Sequence, residues 1–349
     1  MIEYFPLQRS PEAFQVSVPL AQLLQLCTHA FGQQVRVKRI QELGNGQFNT
    51  TYLVSLHRHA PVILRVAPPS SRCRLWHESH LMQREVTMHS LLAPLGGLLP
   101  RLLVADFSHS LIDRDYLFQT FIDGQSWVSL PADLSLQEHD TLWCQFARLV
   151  KAISRIRGEA FGLVQGASLF SSWSLTLLDW LERTYKDAQQ SGVDVSAFGQ
   201  LLSLAQSNAY LFDQVTEPRL LHGDLWWFNL LLQRTETGPR IVALLDADRG
   251  AWGDPLADWT FFLLQRRASA REQALFWNEY GLPPHDRAAQ FRAKVYEGLH
   301  HGKILSVATR DRKEKAVLKA ADALKHVVCT LQGILAGEGE GKHQSHQTP

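Results

Sequence analysis

The residues in this chain that invite chemistry are His222-Gly-Asp-Leu-Trp-Trp-Phe-Asn229, followed one strand later by Leu244-Leu-Asp246-Ala-Asp248. Moving the γ-phosphoryl group of a nucleoside triphosphate asks a protein mostly for positioning and charge neutralisation. One carboxylate must orient the acceptor hydroxyl, and an amide oxygen and a second carboxylate must hold magnesium on the phosphates. Asp224, Asn229 and Asp246 have the residue types and the order for those three roles. A tight loop lets Asp224 face the acceptor while Asn229 faces the metal, and a turn between two strands returns Asp246 to the same place. His222 is expected to orient the loop rather than to act as a base. A His-x-Asp string alone is short, and acidic residues after apolar strands often cap turns or helices. The order of the segments carries the reading, because Gly253-Asp-Pro-Leu-Ala-Asp258 follows in turn.

Taken together, these segments resemble the aminoglycoside phosphotransferase and choline kinase branch of the protein-kinase-like fold. That branch carries Gly after the His, as Gly223 does here, where protein kinases usually carry Arg. The resemblance implies an α+β, two-lobe fold: an N-terminal antiparallel sheet lobe with one packed helix, and a mainly helical C-terminal lobe. It implies ATP as phosphoryl donor, Mg2+, and a small-molecule hydroxyl acceptor. It also implies that Asp258 braces the catalytic loop by hydrogen bonds.

The elements that must position these residues follow from the pattern of the chain. Leu20 to Phe31 repeats apolar residues at helical steps and reads as an amphipathic helix. The β-branched and aromatic residues from Val35 to Ile40 and Thr50 to Val54 predict two strands around a glycine-bearing turn. In the resembled family such a turn covers the nucleotide phosphates, and Gly46, Asn49 and Tyr52 match its Gly-x-x-Asn-x-x-Tyr. Gly-Asn-Gly between strands is equally the mark of a plain hairpin, and no Gly-Lys-Ser/Thr makes it a Walker loop.

Pro61 to Val66 reads as a third strand, where a kinase-like fold puts the cation that grips the α- and β-phosphates. Here that residue is Arg65 rather than Lys, and a forked guanidinium does not bond as an ammonium does. A single helix is predicted over Trp76 to Leu92, with Glu85 as the ion-pair partner of Arg65 and Glu78 as the competing candidate. Strands over 99–106 and 115–122 lead to Asp123-Gly124. By resemblance this is the hinge, where the backbone of Thr120 and Ile122 would bond adenine.

The nucleotide-binding lobe is therefore expected over residues 1–124, with its helix at about 20–31, and the catalytic and acceptor-binding lobe over 125–335. The Gly/Glu/His/Gln-rich tail, 336–349, is expected to be disordered. Helical periodicity covers 142–156, 173–188, 197–212 and most of the chain from Asp258 to Gln332. Asp248 is expected to pair with Arg249 or cap a turn.

Composition excludes several classes. Among 349 residues, 35 Lys+Arg against 34 Asp+Glu give no field that would mark a nucleic-acid or anionic-membrane partner. There is no basic head with an apolar signal core and no run long enough to span a bilayer, so a cytoplasmic protein is expected. Cys27, Cys73, Cys144 and Cys329 are too scattered for a zinc site or disulfide framework and are expected to be buried free thiols.

The acceptor is less legible. Trp226, Trp227 and Phe228 give the catalytic loop unusual bulk, and fructosamine kinases resemble this chain in carrying Trp after His-Gly-Asp-Leu. An indole face can stack on a sugar, although large aromatics commonly enter a core. A polycationic aminoglycoside would call for clustered carboxylates, for which Asp179, Glu182 and Asp187 are candidates. The reading is an ATP-dependent phosphotransferase acting on a hydroxyl of an aminoglycoside-like antibiotic, sugar, amine-sugar or amino alcohol. The alternatives are a nucleotide-binding pseudokinase and, without Asp-Phe-Gly or Ala-Pro-Glu after the loop, a disfavoured protein kinase.

Overall fold

The computed structural model describes residues 2–9, 13–44, 48–72, 74–129, 134–166 and 169–337. Gly46, Cys73 and the expected disordered tail from 338 onward lie outside the described residues. From the amino end the chain forms β1 (Glu3–Phe5), α1 (Leu20–Phe31), β2 (Val37–Leu43), β3 (Thr50–Leu56), β4 (Val62–Val66), α2 (Leu81–Leu92), β5 (Leu102–Asp106), β6 (Tyr116–Thr120) and β7 (Gln125–Ser126). It continues through α3 (Leu136–Ile153), β8 (Phe161–Leu163), β9 (Leu169–Phe170), α4 (Trp173–Gln190), α5 (Ser196–Ser207), β10 (Arg219–Leu221), β11 (Leu230–Thr235), β12 (Gly238–Leu244) and β13 (Ala251–Gly253). The remainder is helical: α6 (Trp259–Arg267), α7 (Ala270–Tyr280), α8 (Arg287–Arg310) and α9 (Glu314–Ala336).

Contacts divide the chain into two compact units. The first joins Met1–Arg74, His80–Leu142 and Trp227–Asp248, and the second joins Leu75–Ser79, Trp143–Trp226 and Arg249–Pro349. In the first, a six-stranded sheet has the order β1-β2-β3-β4-β6-β5. Every pairing is antiparallel except β1 with β2, which is parallel and lay outside the sequence expectation. The two-residue period of a strand sends alternate side chains to opposite faces. In β6, Tyr116 and Phe118 join Leu64, Val66 and the buried Leu23, Leu26 and Cys27 of α1, whereas Leu117 joins Ala67 and Met82 of α2. Full burial of each such apolar side chain stabilises by roughly 1.5–3 kcal/mol.

One element differs from expectation in a way that matters for the site. The helix predicted over 76–92 is broken: a single 3-10 turn at Trp76–Glu78 precedes α2, and His80, at φ 57°, breaks the right-handed path between them. The break separates the two candidate carboxylates. Glu78 falls in the second unit, where Arg310 Nη1 donates to its Oε2, and Glu85 stays in the first.

The second unit is built on α4, α5, α8 and α9, whose Trp173, Leu177, Leu181, Phe198, Leu201, Phe291, Val295, Leu299, Leu324 and Val327 make one core. A Cβ at Gly298 of α8 would stand 2.4 Å from Leu201, so that glycine allows α5 to approach closely. A small sheet of order β10-β13-β8-β9 lies in the same unit. Cys27 is buried as expected, but Cys144 is half-buried and Cys329 is exposed, because each sits on the outer side of its helix. Among the described residues no helix is long and apolar enough to cross a membrane.

Candidate active site

The loop that begins at His222 leaves β10, which pairs with β13 through Leu221 opposite Ala251. It turns at Gly223, φ 78°, and a Cβ there would fall 2.3 Å from the carbonyl oxygen of Arg249, so the turn needs glycine for both its conformation and its space. His222 is fully buried. Its backbone N–H donates to Asp258 Oδ2 at 2.7 Å, and that of Gly223 donates to the same oxygen at 3.2 Å. Asp258 Oδ1 accepts from Thr260 N at 3.3 Å, capping α6, and Thr260 Oγ1 donates to the Leu225 carbonyl at 2.6 Å. Burial pushes the Asp258 carboxyl up, against the pull of the Gly223, Thr260 and His222 N–H groups. Asp258 is thus the brace that the family resemblance implied.

Within that bracket, Asp224 N donates to His222 Nδ1 at 3.3 Å, which makes Nδ1 the acceptor and gives the imidazole a loop-orienting task. The Asp224 carboxylate is 27% exposed on its side chain, and Arg249 Nε lies 3.6 Å from its Oδ2. Asp254 likewise has structural work. It caps the turn at Pro255–Ala257, accepts from Tyr296 Oη at 2.8 Å and lies 3.4 Å from Arg292 Nε.

In the first unit, Asn229 ends a single 3-10 turn and enters β11, which returns antiparallel as β12. Leu245 N donates to the Asn229 carbonyl at 2.8 Å, so the hairpin brings Asn229 beside the residue that precedes Asp246. Asp246 sits at φ 55°, in the left-handed region. Aspartate enters that region more readily than most residues, yet such positions still cost of order 1–3 kcal/mol and concentrate at functional sites.

Arg65, in β4, is 7% exposed on its side chain and divides its two amino groups. Nη1 donates to Glu85 Oε1 at 2.5 Å, while Nη2 lies 2.7 Å from Asp246 Oδ1 and 3.7 Å from Asp248 Oδ2. Three carboxylates therefore share one guanidinium. Their charges outweigh burial and push the Arg65 pKa up, so it remains a cation. Burial lifts Glu85 to about 8, with Asp248 and Asp246 adding to the effect and Arg65 opposing it. Glu85 Oε2 is buried and makes no hydrogen bond among the described residues.

The remaining sequence candidates lie in the same unit. Asn49 is 5% exposed; its carbonyl accepts from Gln15 Nε2 at 3.1 Å, and its buried Oδ1 has no hydrogen-bond partner among the described residues. Thr120 N donates to the Arg101 carbonyl and Thr120 Oγ1 accepts from Arg101 N, both at 2.9 Å. Ile122, half-buried, follows β6. Among the described residues no group of three or more His, Cys, Asp or Glu is arranged to hold a metal alone. Magnesium usually takes one or two protein carboxylates and completes its shell with phosphates and water. The half-exposed Asp246 with Asn229 is a donor set of that kind.

Sequence reasoning singled out Asp248 without finding its partner in Arg65, and it missed the approach of Arg249 to Asp224. The alternation of Asp246 and Asp248 about a buried Ala247 was the available signal. The three carboxylates considered for a polycation each have another task. Asp179 pairs with Arg183 at 2.8 Å, Glu182 accepts from Gln206 at 3.4 Å, and Asp187 accepts from Trp76 N at 2.9 Å.

The sequence model of the phosphotransferase enzyme family matches residues 39–291, more than half of the chain. No curated protein matches the sequence. Among solved structures, the aminoglycoside phosphotransferase APH(4)-Ia is similar at TM-score 0.64 and 16% identity, over 89% of this chain and 99% of that one. A putative aminoglycoside phosphotransferase from Ralstonia eutropha JMP134 is similar at TM-score 0.60 and 16% identity, over 90% and 98%. The GDP complex of wild-type aminoglycoside 2'-phosphotransferase-IIIa is similar at TM-score 0.62 and 17% identity, over 89% and 98%. At these identities the likeness establishes the fold, the α+β protein-kinase-like architecture of those enzymes.

Proposed function

Since this chain belongs to the phosphotransferase enzyme family, we propose that it is an ATP-dependent small-molecule kinase that transfers the γ-phosphoryl group to a hydroxyl. The observation that supports this best is the Arg65 cluster: a buried cation held by Glu85, and a half-exposed Asp246 kept in a strained backbone conformation. Asp246 and Asp248 against the one guanidinium leave a surplus of negative charge suited to a divalent cation. In this reading residues 1–124 bind nucleotide and 125–335 bind the acceptor and carry the loop. The contact-defined first unit also takes in β7 and the β11–β12 hairpin.

The roles follow from the chemistry of each side chain. Asp224 accepts the proton of the acceptor hydroxyl and orients it. Asn229 and Asp246 would hold Mg2+, which supplies charge neutralisation on the phosphates. Arg65, fixed by Glu85, faces the α- and β-phosphates. Gly46 and Asn49 cover the phosphates, and the unsatisfied Asn49 Oδ1 marks a polar group suited to a further partner. Thr120 N is committed to the Arg101 carbonyl, so the base would be met by the Thr120 carbonyl and the Ile122 N–H. These are one acceptor and one donor on successive same-side positions of an extended chain, matching the adjacent amino donor and ring-nitrogen acceptor of adenine.

The acceptor is proposed as a sugar, amine-sugar, amino alcohol or aminoglycoside-like molecule. A thermostable mutant of APH(4)-Ia has been crystallised as a ternary complex with AMP-PNP and hygromycin B, which is the reason for including aminoglycosides in the test panel. A second reading, a nucleotide-binding pseudokinase, takes its support from Arg65, whose Nη2 lies 2.7 Å from Asp246.

The test is ADP release from purified protein with ATP and Mg2+ across a panel of aminoglycosides, fructosamines, sugars and amino alcohols. Acceptor-dependent release that disappears in Asp224→Ala is the expected result. ATP binding with no release for any acceptor would transfer support to the pseudokinase.

A further inference from the structure

Arginine at position 65 has a geometric consequence that a single-headed lysine would not have. Its fork is split: Nη1 engages Glu85 at 2.5 Å and Nη2 engages Asp246 at 2.7 Å. Asp246 is the carboxylate assigned above to the metal. This chain's own cation therefore lies on Oδ1 of Asp246 and would share that carboxylate with Mg2+. Two cations on one carboxylate repel, so the hold of Arg65 on Asp246 weakens when the metal-bound nucleotide arrives. Arg65 is buried, and a buried guanidinium left without a partner is strongly destabilising.

A receiving group is already in place. Asp248 Oδ2 is 3.7 Å from the same Nη2 and its side chain is 8% exposed. A shift of about 1 Å would bring the pair to charge-assisted hydrogen-bond distance, 2.7–2.9 Å. Glu85 anchors the other arm, so the movement is a swing about Nη1 rather than an exit of the side chain.

We propose that Asp248 is a positioning residue that receives Nη2 of Arg65 when the metal-bound nucleotide takes Asp246. Arg65 and Asp248 act as a matched pair: the fork joins Glu85 to Asp246, and Asp248 offers Nη2 a second carboxylate. The inference rests on the reading of Asp246 as the metal ligand.

The experiment is a titration of Mn2+ with AMP-PNP, followed by the electron paramagnetic resonance signal of free Mn2+. The proteins are the wild type, Asp248→Asn, Arg65→Lys, the double variant Arg65→Lys/Asp248→Asn, and Asp246→Asn. With Arg65 present, Asp248→Asn is expected to weaken Mn2+ binding by roughly 10–100-fold, the range for removing a group that supports a metal ligand. In the Arg65→Lys background the same change is expected to have no effect, because a lysine held by Glu85 has no second arm to re-seat. Asp248→Glu, which keeps the charge, is expected to recover most of the lost affinity and stands in if Asp248→Asn does not fold.

Unchanged Mn2+ binding in Asp248→Asn overturns the proposal. Equal losses with Arg65 intact and in the Arg65→Lys background also overturn it, because Asp248 would then act on the metal directly. Wild-type Mn2+ affinity in Asp246→Asn would instead remove the underlying assignment of Asp246, whatever the Asp248 variants do.

Discussion

Asp258 and Asp246 are both aspartates that follow apolar segments, and the protein uses them in opposite ways. Asp258 is buried and surrounded by donors that cannot leave: the N–H groups of His222, Gly223 and Thr260. Asp246 is 44% exposed on its side chain, sits at φ 55°, and is paired with a side chain, that of Arg65. Fixed backbone donors make a carboxylate a structural member. A side-chain partner leaves a carboxylate more exposed, which is what the proposed metal role of Asp246 requires. Strained backbone positions concentrate at functional sites, and of these two aspartates Asp246 is the one in the left-handed region.

Asp224 lies within the bracket that Asp258 maintains, and its loss should have the largest effect. Asp224→Ala is expected to lower transfer by roughly 10²–10⁴-fold, the contribution of a positioned acid–base group. Nucleotide binding and the melting temperature should be retained, and a variant that keeps full turnover would disprove the role.

Asp246→Asn tests the exchangeable carboxylate. Asparagine tolerates the left-handed region nearly as well, so stability should change by less than about 1 kcal/mol, while Mg2+-dependent nucleotide affinity falls by roughly 10–100-fold. Calorimetric titration with and without Mg2+ separates these outcomes; equal affinities in both would break the contrast.

For the structural carboxylate the expected pattern reverses. Asp258→Asn weakens charge-assisted bonds to three backbone N–H groups and should cost about 2–3 kcal/mol in denaturant unfolding, with transfer falling because the loop loosens. An undisturbed unfolding midpoint would show that the bracket is not needed.

The smallest effect concerns pH. Burial, with Lys303 acting in the same sense, holds His300 down at about 3, and its Nε2 lies 3.1 Å from the Ala257 carbonyl beside the bracket. In the unfolded chain the imidazole titrates near 6.5 and binds its proton first. The contribution is therefore complete above that pH and is lost as pH falls towards 3. Melting temperatures between pH 7.5 and 5 should decline in the wild type and decline less steeply in His300→Gln; identical slopes would show that other groups govern the acid limb.

The parts of the candidate site that the sequence could locate are local. The loop from His222, the β11–β12 return, Arg65 and Glu85 are each marked by a short string or by the period of one element, and α1 runs over Leu20–Phe31 as its apolar spacing predicts. What escaped depends on distant segments. Glu3–Phe5 form the parallel β1, and side chains near it reach far along the chain: Arg9 Nε and Ser17 Oγ reach the buried Glu42, and Gln15 Nε2 reaches the carbonyl of Asn49. A three-residue parallel pairing leaves no periodicity of its own. The break at His80 was missed because φ is not written in the residue type, and Asp248 because its partner is 183 positions away in sequence (248 − 65).

Gly223 has a consequence for how such chains can change over time. The space beside its α-carbon is filled by the backbone of Arg249, just ahead of β13, and backbone does not yield as a side-chain tip does. The Arg that protein kinases usually carry at this place is closed to this chain as a single replacement, since any side chain there collides before its identity matters. The segment before β13 would have to be rerouted first. A larger residue after the histidine therefore requires a different backbone path around Arg249.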